Sequence, residues 1–136
     1  MAQDWANRNA PGIQVIEILA QEALEALPEF AAEPARRIRI NVADFASEEV
    51  LDSVGIEDGL ELTGHYEGIP LVEKSYSDQP TAIDSVWLYR LPILFEWAER
   101  GDVALGDLVA HIVVHEIAHH FGWSDEDIAK IDKWWE

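Results

Sequence analysis

The chain has 136 residues, 49% of them apolar, which suits one domain with a real core. It contains no Cys, so disulfides, thiolate metal sites and cysteine nucleophiles are excluded. Nine basic against 27 acidic residues give a net charge of −18, which excludes a nucleic-acid backbone as the natural partner and keeps the surface soluble.

The first periodic segment is 13–30. Ile13, Ile16, Leu19, Ala20, Ala23, Leu24 and Leu27 recur at helical spacing, with Glu17, Glu22 and Glu25 between them. Pro28 disfavours continuation, and Pro34 closes a short loop. Residues 36–43 alternate charged or polar with apolar side chains, which predicts a strand whose buried face is Ile38, Ile40 and Val42. Ser47-Glu48-Glu49-Val50-Leu51 opens a short helix with Gly55 near its end, and 60–67 is a second strand. Gly68 after Glu67 marks a tight turn into a further extended stretch at 69–76, forming a hairpin. A loop at 77–82 leads to a strand at 84–90.

Pro92 suits a first helical turn, and Leu94, Phe95, Trp97 and Ala98 make a short amphipathic helix ended by Gly101. The segment 104–121 is apolar around nearly its whole circumference, the pattern of a buried helix. Gly122 ends it in a left-handed conformation, and Ser124 caps a last helix carrying Ile128, Ile131 and Trp135. The order of elements predicts a small α+β domain occupying residues 1–136.

The buried helix contains His115-Glu116-Ile117-Ala118-His119, and the pattern continues through Gly122 to Asp125. Two His four residues apart lie one turn apart on the same side of a helix, where both ring nitrogens reach one ion. Glu116, about 100° further round, sits beside that ion and can take a proton from a bound water. Zn2+ suits such a mixed nitrogen and oxygen set. Without partners, three polar side chains in an apolar helix would each cost on the order of 1–3 kcal/mol. Asp125 is the leading third ligand, with Glu126 and Asp127 as alternatives and a role in the first turn of the last helix as the competing one. His111, four residues before His115, is a packing residue, a support to the site or a substrate contact, and His120 points away. His65, Tyr66, Tyr89 and Arg90 are candidate stabilisers of a developing oxyanion.

With these residues assembled, the chain resembles the minimal zincin-like metallopeptidases, small bacterial zinc-dependent peptidases. The resemblance rests on His115-Glu116-Ile117-Ala118-His119-His120-Phe121-Gly122, on Gly64-His65-Tyr66-Glu67-Gly68-Ile69-Pro70-Leu71 and on Leu88-Tyr89-Arg90-Leu91-Pro92. It implies a zincin-like fold, a small mixed sheet packed against the HExxH helix, with His115, His119 and Asp125 on zinc and Glu116 as general base. The Asp in the third ligand position is similar to that of metzincin-type peptidases, but Met1 is the only Met, so their methionine turn is missing.

The expected function is therefore zinc-dependent hydrolysis of peptide bonds. The alternative is a catalytically weak or inactive zinc-binding or protein-interaction domain that keeps the zincin frame; a third possibility is an acidic interaction module whose helix histidines are core residues. The expected partner is a peptide or protein substrate, with no nucleic acid and no membrane, and the chain is expected to be a monomer. Met1–Asn9 lacks a basic stretch followed by an apolar core, so a cytoplasmic location is the expectation.

Overall fold

The computed structural model of the chain describes residues 10–67, 84–121 and 126. The first helix, α1, spans Ile13–Glu25 and buries Ile16, Ala20 and Leu24. It stops three residues before Pro28, whose carbonyl then starts the separate α2, Glu29–Ala35, by accepting from Ala31 and Ala32. The single helix over 13–30 is thus two, and Pro34 falls inside α2 rather than closing a loop. Strand β1 is Arg39–Ala43. Helix α3, Glu48–Val54, has the ends its sequence predicts: the Ser47 hydroxyl accepts from Val50 N–H, and Gly55 ends it at φ 74°.

The strand expected over 60–67 is shorter. Asp58 caps a 3-10 turn at Gly59–Glu61, so the extended part, β2, is only Gly64–Glu67. Strand β3, Ser85–Tyr89, runs directly into helix α4, Arg90–Arg100, which Gly101 ends in the left-handed region. Helix α5 is Leu105–Phe121. The second arm of the hairpin at 69–76, the loop at 77–82, the turn at Gly122 and the last helix lie outside the described residues.

The described sheet is mixed, in the order β1-β3-β2, with β1 parallel and β2 antiparallel to β3. Its register fixes two faces. Ile40 and Val42 stand beside Val86 and Leu88, and Tyr66 and Gly64 stand on the other side of the same two residues. This face carries the core: α1 lies over β1, α5 lies over β2 and β3, and the two helices pack on each other. Ile16, Leu88, Ile93, Leu108 and Ile117 are fully buried there, each contributing about 2 kcal/mol of apolar burial. Gly64 is required where α5 crosses β2. A Cβ at that position would stand 2.8 Å from the Trp87 carbonyl oxygen and 3.2 Å from Ile112 Cγ2. The fold is the zincin-like α+β arrangement expected, with a small sheet backed by the HExxH helix.

Candidate functional site

Helix α5 brings the motif to the centre of the domain. Leu108, Val109, Ile112, Val113, Val114, Ile117 and Ala118 are all buried, which leaves His111, His115 and Glu116 as half-buried polar residues among them. The i,i+4 spacing sets the His111 and His115 rings against each other, centroids 4.2 Å apart and tilted by 49°. His111 is therefore a direct neighbour of the motif. Burial pushes the Glu116 carboxyl up to about 7, so it exchanges a proton near neutral pH.

The sheet register sorts the oxyanion candidates of β2 and β3 onto two faces. His65 lies opposite Trp87, so Tyr89, two residues along β3, is its diagonal neighbour on the same face. Their rings stack at 5.8 Å with planes 10° apart, and the Tyr89 hydroxyl and His65 Nδ1 share a 2.8 Å hydrogen bond whose direction follows the imidazole tautomer. Burial lowers the His65 pKa, against the opposing pull of the Glu67 carboxylate. Burial, then the charges of Glu67 and Glu116, push the Tyr89 phenol up to about 12, so Tyr89 stays protonated and lies within electrostatic reach of Glu116.

Tyr66 turns to the opposite face. It stands beside Val86, which makes Asp84 its diagonal neighbour. Burial, a hydrogen bond with Asp84 and the charge of that carboxylate hold the Tyr66 phenol far above its ordinary range. Arg90 is occupied elsewhere: its Nε donates to the Pro11 carbonyl at 2.7 Å, and its Nη1 meets Asp44 at 3.1 Å. Of the four oxyanion candidates, the structure pairs His65 with Tyr89 and commits Tyr66 and Arg90 to other partners. Neither diagonal pair is visible in the sequence, because each depends on the register between β2 and β3. The contact between His111 and His115 does have a sequence signal in their spacing.

A family model described as Zincin-like metallopeptidase matches residues 35–135, most of the chain. The chain belongs to this zincin-like metallopeptidase family. The match takes in β1, both blocks from the β2 and β3 region, and the whole of α5; α1 and nearly all of α2 precede it. No curated protein matches the chain.

Zinc chemistry needs a ligand set of its own, apart from family membership. A catalytic zinc takes three protein ligands and an open position. Among the described residues there is no group of three or more His, Cys, Asp or Glu that could hold a metal ion. Helix α5 supplies His115 and Glu116, while the side chain of His119 and all of Asp125 lie outside the described residues. The described residues contain no such ligand set, and the expectation of a zinc-dependent peptidase with Zn2+ as cofactor is corrected accordingly. The HExxH pattern stands in the sequence; the metal-binding attribute drawn from it does not stand on the described structure. A buried carboxyl near neutrality is a proton site, and by itself it is not a hydrolytic centre.

Among the described residues no helix is long and apolar enough to cross a membrane.

Proposed function

We propose that the chain is a protein-interaction domain that retains the zincin frame and is catalytically weak or inactive. The observation that carries this reading is the composition of the site: the HExxH helix sits in a family frame without a described set of three metal-holding side chains. The His111–His115 ring contact supports it, because those imidazoles pack on each other within the core-facing helix. In this reading residues 1–136 form one zincin-like domain, the partner is a peptide or protein, and the chain is a monomer located in the cytoplasm. The net charge of −18 supports a partner other than nucleic acid. Within the motif, Glu116 is the residue whose chemistry would show first if turnover existed, and His115, His119 and Asp125 are the positions that would accompany it.

A peptide-library cleavage screen on the wild type and Glu116→Gln tests the proposal. The expected result is no cleavage that distinguishes the two proteins. Efficient wild-type cleavage that Glu116→Gln abolishes would overturn the reading.

A further inference from the structure

Helix α1 has an outer face that the core does not use. Val15 and Ile18 are 41% and 60% exposed, large apolar side chains one turn apart. Glu22 and Glu25, both exposed, continue the same stripe at helical spacing. Helix α1 carries Glu17, Glu22 and Glu25 and has no Lys or Arg. Glu25 also helps to line a cavity of about 340 Å³ beside α1 and α2, together with Gln21, Leu24, Ala32, Ala35, Arg36 and Ile38. The stripe from Val15 to Glu25 is thus about 15 Å long at ~1.5 Å per residue. It runs from an apolar ridge past carboxylates to a cavity lined by both apolar and polar side chains.

We propose that this stripe is the docking surface for a Lys/Arg-rich amphipathic segment of a partner protein. The apolar side chains of that segment would cover Val15 and Ile18 and enter the α1–α2 cavity, and its basic side chains would meet Glu22 and Glu25. Charge decides the occupant. A second copy of this chain brings another net charge of −18 to the contact, which opposes association, whereas a basic segment is drawn in by it. Val15, Ile18, Glu22 and Glu25 precede the residues that the family model matches, so the stripe lies apart from the HExxH helix. It goes beyond the reading centred on α5 and is tested apart from it: efficient cleavage lost in Glu116→Gln would end that reading and leave the affinity of the stripe unchanged.

The test is fluorescence anisotropy of a labelled leucine–lysine amphipathic peptide, about 14 residues or ~20 Å of helix, titrated with the full chain. The substituted side chains are exposed, and circular dichroism verifies that each variant is folded. Ile18→Ser and the double reversal Glu22→Lys, Glu25→Lys are each expected to weaken binding about tenfold. The double reversal Glu48→Lys, Glu49→Lys on α3 changes net charge equally and is expected to weaken it less than about twofold. Absence of binding by the wild type, equal losses in the two double reversals, or no loss in Ile18→Ser would overturn the proposal. So would sedimentation showing self-association that Ile18→Ser relieves, since that would assign the stripe to a second copy.

Discussion

Helices α1 and α5 pack on each other, yet they solve opposite problems. Helix α1 is amphipathic: Ile16, Ala20 and Leu24 are buried, and its carboxylates stand in water. Helix α5 is apolar around most of its circumference, so its polar residues are carried inward with it. A Glu on the outside of α1 is solvated at no cost. Glu116 in α5 is desolvated, and its carboxyl is raised to about 7. The same residue type is therefore a surface charge in one helix and a proton-exchanging group in the other, and the difference comes from the pattern of its neighbours.

The largest effect that would sharpen this contrast is a truncation in the shared core. Leu108, fully buried on α5, is expected to cost about 3 kcal/mol as Leu108→Ala in denaturant unfolding. A loss under about 1 kcal/mol would mean that α5 is less enclosed than its burial implies.

The next effect is electrostatic. The folded pKa of Glu116 lies above its unfolded value, so the folded state holds the proton more tightly. Its contribution is fully present below about pH 4.5 and is lost as pH rises to about 7, with little further change above. Glu116→Gln removes that loss. Relative to the wild type, it is expected to gain about 2–3 kcal/mol between pH 4 and pH 8, because each tenfold difference in proton affinity between folded and unfolded chain is worth about 1.4 kcal/mol. Unfolding curves at the two pH values measure it, and parallel pH dependence in both proteins would show that folding does not desolvate Glu116.

Gly64→Ala tests the crossing of α5 over β2. The added Cβ meets the Trp87 carbonyl, which is backbone and cannot rotate aside, so a loss of about 2 kcal/mol is expected. A melting temperature equal to that of the wild type would show that β2 can shift against β3, and Ile112 of α5 can give way, to admit the methyl group.

Smallest is Tyr89→Phe, which deletes the hydroxyl bonded to His65 Nδ1 and is expected to cost about 1 kcal/mol. In nitrogen-detected NMR the Nδ1 resonance of His65 should move while the signals of His111 stay in place. An unchanged Nδ1 resonance would place the hydrogen bond elsewhere.

Much of the fold was legible because local chemistry marked it. Ser47 and Gly55 bracket α3, Gly101 ends α4, and the apolar girdle of α5 announces a buried helix. The boundaries that differ depend on competition between neighbouring signals. Residues 13–30 keep helical periodicity across Pro28, but a proline lacks the N–H that would continue α1, and its carbonyl starts α2 instead. Residues 60–67 keep a strand-like pattern, but Asp58 captures Leu60 N–H and tightens the chain into a 3-10 turn.

The site divides in the same way. The sequence by itself determined that His115, Glu116 and His119 share one helix and that this helix is too apolar to lie on a surface, because both follow from spacing and hydrophobic period alone. Only the tertiary structure decided that His65 stacks on Tyr89 while its neighbour Tyr66 turns to Asp84 on the other face. Adjacent residues in a strand point to opposite faces, and their partners are set by register with another strand, which no local pattern encodes. A set of metal ligands is likewise a tertiary property. The motif proposes such a set, but only the placement of all its members can form one.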